Sequence, residues 1–341
     1  LLLWIKEGGL EGMSDIIAQI PYPLLVFIVA FILVNIALFH VAYLTYAERK
    51  IIARMQQRLG PNRVGPRGLL QPIADVLKLL QKEDIIPNNV DKPVFKIAPL
   101  ISLVCAGTGV SLIPLWEKFV LSNLNVGLLF ILALSSLSAY GVILSGWASN
   151  SRYALLGGLR SSAQVISYEI AMSLALLSVV LMAGSFNLQD IVKAQVASPF
   201  KVYLIPQVVA FFVFMVCALA ETNRVPFDLP EAETELVAGY FVEYSGIRFA
   251  LFYLAEYFGM VVMSALAVTC FLGGYAGPFE VPGLPFIWFL LKLYVLLFFY
   301  IWVRATLPRY RYDQLMGLGW KVLIPLALAN LFVTAFLKLY L

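Results

Sequence analysis

Apolar runs recur along the chain at roughly 22–45, 97–116, 126–147, 163–182, 203–220, 250–272, 285–305 and 321–340, separated by polar intervals. Each run approaches the ~20 residues that a helix needs to cross hydrocarbon. The pattern therefore predicts an all-α integral membrane protein with eight transmembrane helices. Residues 1–341 read as a single transmembrane domain, without an internal linker, a low-complexity segment or a repeat strong enough to mark a duplication.

If the runs alternate direction, the loops 46–96, 148–162, 221–249 and 304–321 share one face and carry eighteen of the twenty-four Lys/Arg. The opposite face, with both termini, carries Lys6, Lys118, Lys193, Lys201 and Lys338. The positive-inside bias assigns the four basic loops to the cytoplasm and both termini to the other side. The first run is too long and poorly flanked for a cleaved signal peptide, and Leu1 suggests a missing initiator.

The longest loop has a pattern of its own. Glu48, Arg49, Lys50, Arg54 and Arg58 continue the first span into water, and Gly60, Pro61, Gly65, Pro66 and Gly68 then break the helix. From Leu69 a helical period returns. Leu69, Ile73, Val76, Leu77 and Leu80 share one face, with Gln71, Asp75, Lys78 and Lys82 opposite, which predicts an amphipathic cytoplasmic helix on the membrane surface or under a partner. A solvated basic loop would explain the charge, but not the Gly-Pro turns followed by a one-faced apolar stripe.

The loop from Glu221 to Glu235 is acidic against the bias of its own side. Asp228 and Glu231 have the spacing of a capping box, with Pro230 tolerable in the first turn. Glu231 and Glu235 would then stand one turn apart, Glu233 displaced, and Glu243 two further turns along. Close carboxylates raise one another's pKa and can exchange protons near neutrality. A solvent-facing acidic helix is the plainer alternative.

Within the spans, Glu169, Glu221 and Glu256 all fall in the cytoplasmic half, where they can continue the loop cluster inward as proton-binding groups. His40, the one histidine, reads as a packed residue. Lys292 is too deep for simple snorkelling, and a fixed ion pair with a glutamate stays open. Cys105, Cys217 and Cys270 sit singly in apolar runs, so the chain offers neither a CxxC metal site nor an iron–sulfur ligand set, and no Walker or dinucleotide glycine loop is present. The formal net charge of +4 is a topology signal that calls for no nucleic acid. On these residues alone a quinone-linked coupling subunit, a secondary transporter and a structural anchor all stay open.

Several motifs narrow that choice. They are Glu48-Arg49-Lys50, Leu59-Gly60-Pro61-Asn62-Arg63-Val64-Gly65-Pro66, Lys82-Glu83-Asp84, Gly146-Trp147-Ala148-Ser149-Asn150, Leu155-Leu156-Gly157-Gly158-Leu159-Arg160, Ile166-Ser167-Tyr168-Glu169, the loop from Ala220 to Tyr240, Glu243-Tyr244-Ser245-Gly246 and Leu307-Pro308-Arg309-Tyr310-Arg311-Tyr312-Asp313-Gln314. Together they resemble, over nearly the whole chain, the junction membrane subunit of respiratory complex I, the proton-pumping NADH:quinone oxidoreductase. The resemblance implies a subunit with no cofactor of its own, in an energy-transducing inner membrane such as the bacterial cytoplasmic membrane. FMN and iron–sulfur clusters would lie in partner subunits. The implied partners are the hydrophilic quinone-site and iron–sulfur subunits, the small membrane subunits beside the antiporter-like ones, membrane lipid, and quinone as substrate.

In such a subunit the first span, the amphipathic helix and the sixth span frame a quinone tunnel open to lipid. Arg49, Arg54, Arg58, Arg63, Leu69, Ile73, Ala74, Leu77, Phe227 and Asp228 would belong to the tunnel and its loop scaffold. The first-loop arginines, Arg67 among them, would pin the loops, hold the acidic cluster in ion pairs and bind partner carboxylates or lipid phosphates. Glu169, Glu221, Glu231, Glu233, Glu235, Glu243 and Glu256 would couple quinone reduction to proton movement. The sequence departs from some relatives at Ser136, where they carry a glutamate. A relay here would have to bridge that position with water, hydroxyls or Tyr140.

Overall fold

A computed structural model describes residues 22–117, 120–199, 201–231, 233–277, 279 and 284–340. The expectations placed on Leu1, Lys6, Lys118 and the sidedness of the N-terminus lie outside the described residues. The elements are α1 (Tyr22–Met55), α2 (Gln71–Gln81), α3 (Lys92–Val110), α4 (Gly127–Ala148), α5 (Arg152–Ala183), α6 (Leu188–Ala197), α7 (Val208–Glu221), α8 (Glu233–Leu236), α9 (Gly246–Phe271), α10 (Leu284–Thr306), α11 (Tyr312–Leu318) and α12 (Ile324–Tyr340). A π turn over Gly319–Leu323 joins the last two into one rod. Among the described residues there is no strand.

Among the described residues six helical rods are long and apolar enough to cross a membrane: α3, α4, α5, α9, α10 and Tyr312–Leu339. Beside them, α1 runs for 34 residues and α7 for 14. Two helices overrun their apolar stretches well into the polar intervals. Thus α5 already starts at Arg152 and reduces the expected loop 148–162 to a tight turn, while α1 continues to Met55 before the Gly60-Pro61 break.

The innermost helix is α9, whose Met260, Leu266, Val268 and Phe271 are buried against α3, α7 and α10. A second, aromatic cluster closes the loop end of the bundle. There the Phe95 and Tyr244 rings stack at 4.0 Å, and Phe241 and Phe252 pack beside them.

The run 203–220 becomes helical only at Val208; the residues before it turn, yet Tyr203 and Gln207 are buried. Irregular backbone at membrane depth needs internal hydrogen-bond partners, and here it has them. The Leu204 amide donates to the Phe271 carbonyl (2.9 Å) and the Tyr203 amide to Gln195 Oε1 (3.3 Å). Gln195 also accepts from the Gly273 amide (2.9 Å) and donates to the Thr269 carbonyl (2.6 Å). Gln207 accepts from Ser178 (3.0 Å) and Asn330 (2.7 Å) and donates to Thr334 (2.8 Å), tying α5, α7 and α12 together.

Candidate functional site

Glu48 is the centre of the site. The expectation that it continues α1 into water is corrected, because it is only 3% exposed. It falls in helical register with Val41 and Leu44, both buried, so the face of α1 that packs on the bundle carries the carboxylate inward. Arg49, one residue on, points away and pairs with Asp75 of α2 at 2.6 Å.

Three groups converge on Glu48. Arg224 Nη1 donates to Oε1 at 3.0 Å and to Oε2 at 3.3 Å, the Tyr257 hydroxyl donates to Oε2 at 2.6 Å, and Arg304 Nη1 bonds to Oε1. The Arg224 guanidinium lies over the Tyr257 ring at 4.2 Å, and its Nε approaches Glu256 Oε1 at 2.7 Å. Burial alone would favour the neutral form of Arg224, but the Glu256 and Glu48 carboxylates reverse that and hold it charged. Arg224 thus joins α1 to α9 through the loop after α7. A buried ion pair of this kind is costly to break from either end, because the charge left behind stays desolvated.

The rest of that loop is clamped. Gln164 of α5 donates to the carbonyls of Ala220 (2.7 Å) and Phe227 (2.8 Å), and the Tyr310 amide donates to the Pro226 carbonyl (3.1 Å). Phe227 is buried against Tyr168 and Tyr310. Asp228 pairs with Arg309 at 3.2 Å. Burial and the neighbouring Glu231 outweigh that arginine and push the Asp228 carboxyl up to about 7.

The expected acidic helix with Glu231, Glu235 and Glu243 on one face does not form. Asp228 is engaged by Arg309 rather than capping a helix, and α8 lasts only from Glu233 to Leu236. Val237 (φ +68°) and Gly239 (φ +53°) then turn the chain through left-handed conformations. Gly239 lies so close to the Pro230 carbonyl that a side chain has no room. Glu235 is drawn to Arg160 of α5 at 2.5 Å, and Glu243 sits beyond the turn. Glu231 stays within electrostatic reach of Asp228 and Glu256.

Glu221 and Glu256 line one internal cavity of about 80 Å³ between α3, α4, α5, α7 and α9. Ser102, Ser135, Ser138, Thr222 and Asn223 also face it, and such a polar space exceeds what a single water needs. Glu221 Oε2 is buried without a hydrogen-bond partner among the described residues, while the Ser135 hydroxyl reaches the same carboxylate. Glu169 lies elsewhere, on a surface groove between α4 and α5, where the Ser136 hydroxyl bonds to its Oε1.

The cations that hold the acidic groups are Arg224, Arg304, Arg309 and Arg160, which corrects the expectation that the first-loop arginines do so. Among the described residues neither Arg54, Arg58 nor Arg63 forms an ion pair, and Arg58 bonds to Gln56 instead. Among the described residues Lys292 makes no pair with a glutamate. Its Nζ donates to the carbonyls of Leu272 (2.6 Å), Gly274 (3.0 Å) and Ala276 (2.6 Å). His40 packs edge-on against Tyr294, ring centroids 5.6 Å apart. Among the described residues no group of three or more His, Cys, Asp or Glu is arranged to hold a metal ion.

α2 lies against both α1 and α9. Its C-terminal end is tied down where the Ile85 amide donates to Ser245 Oγ (3.0 Å) and Arg248 pairs with Asp84 (3.0 Å). The stripe of Leu69, Ile73, Val76, Leu77 and Leu80 remains 44 to 59% exposed, with Ala74 half-buried beside it.

Such a bundle, with its ionisable groups gathered at one end around a buried arginine, defines a multi-pass membrane protein built to hold charge near the membrane boundary. The family profile described as NADH dehydrogenase matches residues 28–335. A protein of Thermomicrobium roseum, named as the H subunit of NADH-quinone oxidoreductase, is 53% identical over 330 residues, covering 92% of this chain and 96% of that one. Proteins of the same name from Rickettsia typhi (52% over 335 residues, 96% and 98% covered) and Rickettsia felis (54% over 323 residues, 93% and 94% covered) are similar throughout. The chain belongs to the NADH dehydrogenase family, among the H subunits of the NADH-quinone oxidoreductases.

Proposed function

We propose that this chain forms the lipid-facing part of a quinone tunnel and couples quinone reduction to proton translocation, within a complex whose FMN and iron–sulfur clusters reside in other subunits. It crosses the membrane eight times, with α1 and α7 added to the six long rods and the basic loops in the cytoplasm. Its partners are the hydrophilic quinone-site and iron–sulfur subunits above those loops and small membrane subunits alongside. The chain binds no redox group itself.

The observation that carries the reading is the juxtaposition of two things at the loop end. One is an apolar stripe on α2, left open between α1 and α9 and suited to an isoprenoid tail. The other is the Glu48–Arg224–Glu256 network, which adjoins the polar cavity leading to Glu221. Reduction of a quinone to quinol takes up two electrons and two protons. The charge change above the loop is felt by carboxylates whose contacts can rearrange, a local electrostatic event with a remote readout.

Replacing Ala74 or Leu77 by a bulky or charged residue is expected to lower turnover with long-tailed quinone more than with a short soluble analogue. Equal losses with both would make α2 a packing element alone. Single cysteines at positions 63 and 155 are expected to label from the cytoplasmic side, and one at position 193 from the other. Finding 63 and 193 on one side would overturn the eight-span arrangement.

A further inference from the structure

Two adjacent serines on α4 lie beside two glutamates on two different helices, Ser135 sharing a cavity with Glu221. Ser136 Oγ bonds to Glu169 of α5, and Ser135 Oγ reaches Glu221 at the end of α7. Both hydroxyls also lie on one backbone carbonyl, that of Leu132, at 2.9 Å from Ser135 and 3.0 Å from Ser136. Back-bonding of this kind to the preceding turn is open to a serine inside a helix. Here the two hydroxyls share one acceptor.

Each hydroxyl has one hydrogen and two groups able to take it. Towards an ionised glutamate the serine donates, giving the stronger charge-assisted bond. Towards a protonated glutamate it turns its hydrogen to the Leu132 carbonyl and accepts from the carboxyl O–H. The bond between serine and carboxyl survives in either protonation state, so a proton can arrive or leave without breaking it. The other titratable groups near Glu221 are Glu169, Cys217 and Tyr300, and Glu256, Tyr240 and Cys105 line the same cavity.

We infer that Ser135 and Ser136 are positioning residues that act as a paired hydroxyl adaptor, holding Glu221 and Glu169 in register through changes of protonation and linking the internal cavity to the α4–α5 groove. The inference rests on the coupling role proposed above and specifies how this chain connects two of its carboxylates.

The test uses the assembled complex in proteoliposomes, with Ser135→Ala/Ser136→Ala and Ser135→Thr/Ser136→Thr, each also made singly. Threonine keeps a hydroxyl able to make the same back-bond; alanine does not. The double Ala variant is expected to lower quinone-linked proton pumping about tenfold per assembled complex, the scale of one lost hydrogen bond to a charged group. The Thr variant should stay within about twofold. The infrared band of protonated carboxyls should shift in the Ala variant and not in the Thr variant. Normal pumping by the Ala variant would overturn the inference, as would equal losses with Ala and Thr, which would point to packing. If the double Ala variant does not assemble, the single variants are read by the same criteria. Glu221→Gln separates the two levels. Full activity there removes the coupling role itself, whereas an impaired Glu221→Gln with a silent Ala variant removes only the adaptor.

Discussion

Replacement of Arg224 by Met is expected to deplete the membrane of assembled complex. Arg224 touches both Glu48 and Glu256, and removing it leaves two carboxylates in a buried site with Arg304 and Tyr257 to share. Breaking a buried pair from one side typically costs about 3–5 kcal/mol, because the remaining charge stays desolvated. Arg224→Lys should fall between Met and the parent, since an ammonium restores the charge but cannot fork towards Glu48 and Glu256 at once. The measurement is the amount of intact complex per membrane protein and its thermal midpoint. Normal assembly and midpoint in the Met variant would show that the network contributes little to the fold.

Glu221→Gln and Glu231→Gln are expected to spare assembly and lower both quinone-dependent NADH oxidation and proton pumping by at least about tenfold, the lower range for loss of a positioned proton-transfer group. Gln keeps the shape and hydrogen bonding of Glu while losing the charge and the proton. At Glu221 one carboxylate oxygen is without a hydrogen-bond partner among the described residues and the site faces a polar cavity, so no ion pair is lost with the charge. Glu169→Gln and Glu256→Gln should act in the same direction but more weakly. At Glu256 the contact with Arg224 gives up part of its electrostatic attraction. Electron transfer from NADH to an artificial acceptor that bypasses quinone should persist. The three activities are compared with assembled complex in the same membranes; losses that track missing complex alone would make the glutamates structural.

Hydropathy exposed the long rods because the requirement to fill hydrocarbon acts on every residue of a span. It placed their ends poorly, since a helix does not stop where the membrane does. The same limit hid Glu48. In the run Glu48-Arg49-Lys50 charge alone suggests water, and only the register with Val41 and Leu44 separates the inward residue from its outward neighbours. The acidic loop was visible as composition but not as shape, because its path is set by Arg309, Gln164 and Arg160 on distant segments. Lys292 was legible as an anomaly; its partners are carbonyls, which carry no signal in a sequence. The Ser135 and Ser136 contacts were equally hidden, since a serine in a span is usually bonded only to its own helix.

The buried turn that precedes α7 has a mechanical consequence. Its amides and side chains are already committed to Gln195, Phe271, Ser178, Asn330 and Thr334, and lipid has no hydrogen bonds to offer in exchange. Separating α6, α9 or α12 from this point would strand several polar atoms together, so that end of the bundle works as a fixed pivot. A rearrangement triggered at the opposite end is then expected to tilt or twist the bundle about it, and the short α7, with Glu221 at its far tip, is the lever that such a movement would swing.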